Sequence, residues 1–333
     1  MAAKSNADYW VGFDLGATKM LAMVYSSSFD FCGKAKKKTK AYEGSKSGLN
    51  RISSAIFAAL DKAGIKRDNL AGIGIGIPGL LDLEKGIVVD APNLGWKKVR
   101  IRDSLEKKFG VPVVIINDVD AGVYGEYSMG AAKNARSVVG VFPGTGIGGG
   151  CIYEGKILRG KRNSCLEIGH IQVMPGGPLC GCGQRGCLEA VASRLSISAE
   201  AAKAAYRSDA PHLIEIAGTD LSNIRSGALA ASINAGDKAI EMIVREAAAW
   251  IGVGVANIVN LLAPDVIVLG GGLVEAMPDI FQEAVEHTAR QRAMAAFENS
   301  FKVTVAKLGD DATVAGAAAW AMKTVTEQNK GTP

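Results

Sequence analysis

Aromatic residues make up only 6% of this 333-residue chain, and histidine occurs three times. A chain so poor in rings yet carrying 41 glycines suits an α/β enzyme with backbone-lined ligand loops better than a repeat array or a β-sandwich. No run of 18 apolar residues occurs, and Met1 to Asp8 lack an apolar signal core, so a cytoplasmic location and no membrane partner are expected. Excess charge is also small. A net +5, with neither an arginine-rich helix nor zinc-finger spacing, argues against a nucleic-acid partner and leaves an anionic small substrate open. Six cysteines could form three disulfides, but Cys180 and Cys182 are too close to pair without strain, and nothing points to secretion.

The length and a 48% hydrophobic content predict two domains. Tyr9 to Tyr25 reads as a hairpin, with Trp10-Val11-Gly12-Phe13-Asp14 and Met20 to Tyr25 flanking a glycine turn. Phe29 to Lys40 adds a third strand. Leu49, Ile52, Ile56 and Leu60 then mark one face of a helix within Lys46 to Ala63, ended near Gly64. Leu70 to Ile77 and Val111 to Ile116 are short apolar strands that deliver Pro78-Gly79 and Asn117-Asp118 to one edge. Val119 to Gly130 reads as helix. Ser137 to Tyr153 repeats the hairpin-plus-glycine device, which suggests two related halves facing one another across a cleft. Helices over Lys238 to Leu262, Pro278 to Arg292 and Thr313 to Thr326, with a strand at Val266 to Leu269, complete the reading.

The densest chemistry lies in Glu167-Ile168-Gly169-His170 and in Cys180-Gly181-Cys182-Gly183-Gln184-Arg185-Gly186-Cys187-Leu188-Glu189. His170, Cys180, Cys182 and Cys187 make a complete tetrahedral zinc set. It is closed and structural, because four protein ligands leave no position for an activated water. The ion would organise its neighbours: Glu167 and Glu189 accept from vicinal hydroxyls, and the second ring nitrogen of His170 reaches a ligand hydroxyl. Cys32, Cys151 and Cys165 read as buried small hydrophobes, with Cys165 a rival ligand by proximity.

Asp14-Leu15-Gly16-Ala17-Thr18-Lys19 offers phosphate oxygens a bare turn and a hydrated magnesium ion a carboxylate; a plain surface hairpin explains it equally well. Gly144-Thr145-Gly146-Ile147-Gly148-Gly149-Gly150 is a second phosphate cradle. A dinucleotide fingerprint is discounted there, because Cys151-Ile152-Tyr153 continues as strand rather than helix. Gly270-Gly271-Gly272 after a strand could face an adenosine or be an ordinary strand-to-helix turn. Asp118 at a strand end is the general-base candidate, and an N-cap role for it is compatible. Lys34, Lys36, Lys38 and Lys40 alternate on one face of a strand, most simply as edge protection and otherwise as contact with a polyanionic donor.

Taken in order, Asp14 to Lys19, Gly76-Ile77-Pro78-Gly79, Asn117-Asp118, Gly144 to Gly150, Glu167 to His170, the three-cysteine loop and Gly270 to Gly272 resemble the ROK family of bacterial sugar kinases. The resemblance implies a two-domain actin-like ATPase (ribonuclease H-like) fold, with residues 1–117 and a returning helix in 312–333 as the small domain and 118–311 as the large one. It implies transfer of the γ-phosphoryl group of ATP, with Mg2+, to a hexose hydroxyl. Glucose is favoured over N-acetylglucosamine, N-acetylmannosamine, mannose, fructose or allose, and a sugar-sensing regulator is the rival reading. Asp118 would take the proton. Gly79, Asn117, Glu167, His170 and Glu189 would hold the sugar. Asp14, Gly16, Ala17, Thr18, Lys19, Gly144, Thr145, Gly146, Gly270, Gly271 and Gly272 would serve the nucleotide, beside a structural Zn2+. Relatives are often dimers or tetramers, so a homo-oligomer is expected. Two departures stand out. Ala17 replaces a usual glycine, and Pro143 removes one N–H before the second cradle. Phe142 and Gly150 depart from the ends of the polyphosphate-user pattern, which favours ATP.

Overall fold

The computed structural model describes residues 9–161 and 166–330. In chain order the elements are β1 (Tyr9–Leu15), β2 (Lys19–Ser26), β3 (Phe31–Lys38), α1 (Gly44–Ala63), β4 (Leu70–Ile77), β5 (Leu80–Asp82), β6 (Ile87–Ala91), β7 (Trp96–Arg100), α2 (Ile101–Phe109), β8 (Val113–Asn117) and α3 (Asp118–Ser128). There follow β9 (Ser137–Pro143), β10 (Ile147–Tyr153), β11 (Lys156–Ile157), α4 (Leu188–Ala192), α5 (Arg194–Tyr206), α6 (Pro211–Ala217), α7 (Ser226–Ala235) and α8 (Lys238–Leu262). The chain closes with β12 (Val266–Leu269), α9 (Gly272–Ala276), α10 (Pro278–Arg292), β13 (Lys302–Val305) and α11 (Ala312–Lys330). Of the described residues, 9–133, 159–161 and 310–330 form one compact unit, and 134–158 with 166–309 form another. Cys165 lies outside the described residues.

Both units are built on the same sheet. The order is β3-β2-β1-β4-β8 in the first and β11-β10-β9-β12-β13 in the second. In each, an antiparallel meander is followed by two strands parallel to the first: β4 and β8 beside β1, and β12 and β13 beside β9. This repeated topology is the actin-like ATPase arrangement that the resemblance implied. Long helices cover the sheets because parallel strands need crossover connections and two buried faces. In the first unit α1 buries Ile52, Ile56 and Leu60 and ends on Gly64 at φ 69°. In the second, α8 is long and apolar enough to cross a bilayer by length and composition, but Ile240, Val244, Ile251 and Val255 are wholly buried in the unit's core.

The small strands β5 to β7 and helices α2 and α4 to α7 went unread in the sequence, being short or only weakly periodic. The expected boundary at 117/118 also moves. Helix α3 belongs with the first unit because it packs directly along α11, where glycine replaces side chains at the contact. A Cβ on Gly316 would lie 1.8 Å from the Ala121 carbonyl oxygen, and one on Gly125 would lie 2.3 Å from that of Ala312. The sheet meets the same helix in the same way: a Cβ on Gly12 or Gly74 would sit 1.9 Å from Val314 O or 1.8 Å from Ala317 O. Gly74→Ala should therefore cost about 1–3 kcal/mol, because backbone rather than a movable side chain must give way. Gly227→Ala, on an α7 glycine with no atom within 4 Å of the new carbon, should be neutral or mildly stabilising. Equal thermal midpoints for the two variants would remove the close-approach argument.

Candidate active site

In the first unit the parallel register Asp14↔Gly76 and Ile77↔Asn117 puts the carboxyl ends of β1, β4 and β8 side by side. That edge is where open α/β sheets bind ligands. It collects Asp14, Gly79, Asn117 and Asp118. Gly79 turns at φ 97°, and a Cβ there would meet Asp90 O at 2.4 Å, so glycine is required on both counts. Asp90, which the sequence reading missed, leaves Oδ1 buried without a hydrogen-bond partner.

Capping of α3 falls chiefly to Asn117 rather than to Asp118. Asn117 Oδ1 accepts from the N–H groups of Val119 at 2.9 Å and Asp120 at 3.2 Å, which leaves its amide NH2 to donate. Asp118 Oδ1 accepts from Val119 N–H at 3.0 Å, and Thr313 Oγ1 donates to the Asp118 carbonyl at 3.3 Å. Burial pushes the Asp118 carboxyl above the usual range, against the pull of that N–H. Asp14 is pushed up to about 7, first by burial and then by Asp118, with Lys19 pulling the other way.

The β1–β2 turn is held from outside: Thr39 Oγ1 donates to Gly16 O at 2.6 Å and Thr39 N–H to Thr18 O at 2.9 Å. Neither Gly16 nor Ala17 takes a positive φ, so the alanine is accommodated. Gly16 is needed for space, because a Cβ would come within 2.7 Å of Lys19 O. Lys19 pairs with Asp310 and Lys34 with Asp311, at the entry to α11. The alternating lysines therefore do sit on an edge strand, as β3 borders its sheet, but Lys34 is also tied to the C-terminal helix. That strand ends at Lys38, and Lys40 leaves it at φ 52°.

In the second unit the β9–β10 turn carries Gly144, Thr145 and Gly146, and β10 continues as strand, which rules out the dinucleotide pattern. Gly270 and Gly271 stand against the end of β9, where added Cβ atoms would meet Phe142 at 2.6 Å and Pro143 O at 2.8 Å. The second and third glycine clusters thus share one edge. Arg194, unread in the sequence, donates through Nη2 to Thr145 Oγ1 at 2.8 Å.

Gly169 lets the Glu-Ile-Gly-His turn rest on β10, since a Cβ would lie 2.2 Å from Ile147 O. His170 and the three cysteines bring their ligand atoms within 4.8 Å of one another. Cys180 Sγ is 3.7 Å from His170 Nδ1, and Cys182 Sγ is 3.6 Å from Cys187 Sγ. A tetrahedral zinc with ~2.3 Å sulfur bonds has sulfur–sulfur edges of ~3.8 Å, so the four could hold such an ion. Nδ1 faces the sulfurs, leaving Nε2 as the second ring nitrogen. Glu189 sits between metal set and glycine turn, with Oε2 accepting from Ile147 N–H at 3.0 Å and Oε1 3.8 Å from Cys180 Sγ. Gly146 makes room for it, as a Cβ there would stand 2.3 Å from Oε2. Of the remaining cysteines, Cys151 is buried, whereas Cys32 is only half-buried with its thiol on Asp30 O.

The raised Asp14 carboxyl has a consequence for stability. Its folded value of about 7 exceeds the ordinary 3.8, so the folded state holds this proton more tightly than the unfolded one. The contribution is intact below about pH 4 and is lost as pH rises through about 7. Asp14→Asn should accordingly raise the melting temperature at pH 8 in metal-free buffer, by no more than ~4 kcal/mol in stability, and leave it unchanged near pH 4. Calorimetric scans at both pH values test this; a gain independent of pH would contradict it.

The ROK family profile matches residues 10–324. The chain is 31% identical over 324 residues to a glucokinase of Halalkalibacterium halodurans, covering 95% of this chain and 96% of that one. Its structure is similar to that of a ROK hexokinase from Thermus thermophilus, with TM-score 0.81 and 33% identity over 96% of this chain and 99% of the other. It is also similar to a ROK family glucokinase from Streptomyces griseus in complex with glucose and AMPPNP, with TM-score 0.80 and 30% identity over 95% and 99%. With a profile spanning nearly its whole length and relatives matched almost end to end, this chain belongs to the ROK family.

Proposed function

We propose that this chain is a cytoplasmic sugar kinase that transfers the γ-phosphoryl group of ATP to the 6-hydroxyl of a hexose, glucose foremost. The observation that carries the reading is Asp118. One carboxylate oxygen is fixed by the Val119 N–H, and burial raises the group's affinity for a proton. A rigid, buried carboxylate at a strand end is the geometry of a general base. The hydroxyl proton passes to that carboxylate as the new bond from sugar oxygen to γ-phosphorus forms. The bond from γ-phosphorus to its bridging oxygen breaks, and ADP leaves with the electron pair.

The first unit supplies the Asn117 amide as donor to a sugar hydroxyl, its own oxygen being engaged in the cap. Gly79 admits the sugar without a side chain. The second unit supplies Glu167, His170 Nε2 and Glu189 for further hydroxyls, and its two glycine turns offer phosphate oxygens their N–H groups other than those of Gly144 and Gly270, which already donate to Gly146 O at 2.8 Å and Val141 O at 3.1 Å. Mg2+, when bound, neutralises phosphate charge. Asp14 fits its side of the site, a carboxylate made reluctant to ionise by burial and by Asp118 and so eased by a cation. His170, Cys180, Cys182 and Cys187 would hold a structural Zn2+, and with it the ring nitrogen and Glu189 would be kept in register.

A coupled ADP-release assay over a panel of hexoses, with ATP and with polyphosphate, tests the reaction. Glucose with ATP should turn over fastest, and saturable sugar binding without turnover would make the chain a sensor instead. Asp118→Asn should lower kcat by about 10²–10⁴-fold while glucose binding stays measurable; an undiminished kcat would remove Asp118 from the base role. Cys182→Ala should lose zinc by elemental analysis and weaken glucose binding, and full metal content in that variant would contradict the ligand assignment.

A further inference from the structure

We infer that Arg194 is a donor-binding residue, whose guanidinium receives the terminal phosphates of a nucleoside triphosphate seated in the hollow beside Gly272. The inference rests on the phosphoryl-transfer reading and names the residues that select the donor. The backbone of Arg194 is tied to the phosphate-facing turn, its N–H donating to Gly144 O at 2.9 Å. The preceding Ser193 starts α5 as its N-cap and donates its own N–H to Glu189 O at 3.1 Å, so the arginine hangs from the residue that braces the metal loop. The side chain then doubles back onto the turn, Nη2 meeting Thr145 Oγ1 at 2.8 Å.

No carboxylate pairs with Arg194 among the described residues, so a fork of five donors meets a single neutral hydroxyl. A guanidinium with most of its donors unengaged, beside a glycine turn, matches phosphate oxygens, which accept from it two at a time. The space next to it has the remaining complement. A hollow of about 550 Å³ is lined by Arg194, Leu195, Leu221, Ser222, Arg225 and Gly272, with the glycine at the start of α9. Arg225 is steadied by its Nε donating to Ser222 O at 3.1 Å. Leu195 and Leu221 are 54% and 47% exposed, an apolar surface beside two cations. Cations suit a phosphate chain and leucines suit the face of a base, so the hollow fits a nucleotide better than a naked polyanion, which would leave the leucines wet.

Steady-state kinetics of Arg194→Met should show the KM for ATP raised about 10- to 100-fold, the loss of a charge-assisted bond. The KM for glucose should stay within about twofold and the melting temperature within about 2 °C. Arg194→Lys should recover part of the loss, since it keeps the charge but not the fork, and Arg194→Gln substitutes should the methionine variant misfold. An unchanged KM for ATP, or an equal rise for glucose, overturns the assignment. Calorimetric binding of AMPPNP separates this inference from the reaction itself. Weakened binding in Arg194→Met upholds it even where no hexose is phosphorylated, and unaltered binding refutes it even where glucose is turned over. Inorganic tripolyphosphate should compete far less well than ADP for the wild-type site; equal competition would refute the nucleotide commitment.

Discussion

Helix α11 touches β1, β4 and α3 backbone to backbone, across Gly12, Gly74, Gly125 and Gly316, and the geometry of the first unit follows from that approach. With no side chains between them, the helix cannot slide without its carbonyls colliding with the strands. Its N-terminal end is therefore as fixed as the sheet. From that end Thr313 donates to the Asp118 carbonyl, while the neighbouring Asp310 and Asp311 hold Lys19 and Lys34. The two ion pairs are largely exposed, and such pairs contribute only about 0–1 kcal/mol each. Their value is placement: one aspartate sets Lys19 at the β1–β2 turn and adds to the field that keeps Asp14 reluctant to ionise.

The second unit solves the same problem of rigidity through a short loop cross-braced by backbone bonds and close glycine contacts. Val173 N–H and Met174 N–H share Gly186 O, Leu188 N–H donates to Ile171 O, and Gly186 must be glycine because a Cβ would sit 1.7 Å from Met174 O. Burial and the neighbouring thiols push Cys187 up to about 12, so this buried sulfur resists ionising unless a cation joins it. Glu189 carries that rigidity onward. It reaches the hairpin turn through Ile147 N–H, and its own carbonyl anchors Ser193 at the head of α5. Metal set, glycine turn and Arg194 are thereby links of one chain of contacts.

What could be read in the sequence was whatever is local. The two glycine hairpins, Asn117-Asp118 at a strand end and the cysteine loop each announce themselves within a few residues, because turn chemistry and ligand spacing are short-range properties. Roles fixed by partners far along the chain stayed hidden. Nothing near Thr39 suggests that it clamps the turn at Gly16, and nothing near Arg194 points back to Thr145. The capping of α3 was misplaced for a different reason, since the cap depends on where the helical backbone angles begin. The sequence put the cap at Asp118, and the backbone angles move it one residue earlier, to Asn117 at φ −63° and ψ 144°. The domain boundary was misplaced because the glycines of α3 and α11 resemble ordinary helix interruptions until the two helices are seen in contact.

The repeated sheet makes the division of labour between the units physical rather than historical. The carboxyl end of β1 carries Asp14 and that of β8 leads into Asp118, whereas the matching ends of β9 and β12 lead into Gly144 and Gly270. A carboxylate edge can take a proton or steady a cation but repels phosphate, and a bare N–H edge does the reverse. Arg194 strengthens the same polarity, adding a cation to the edge that already offers N–H groups, while Lys19 on the opposite kind of edge is held by Asp310 and offsets only part of the charge on Asp14. The sequence departs most from a plain α/β repeat at these strand ends, and it is there that one scaffold acquires two chemistries.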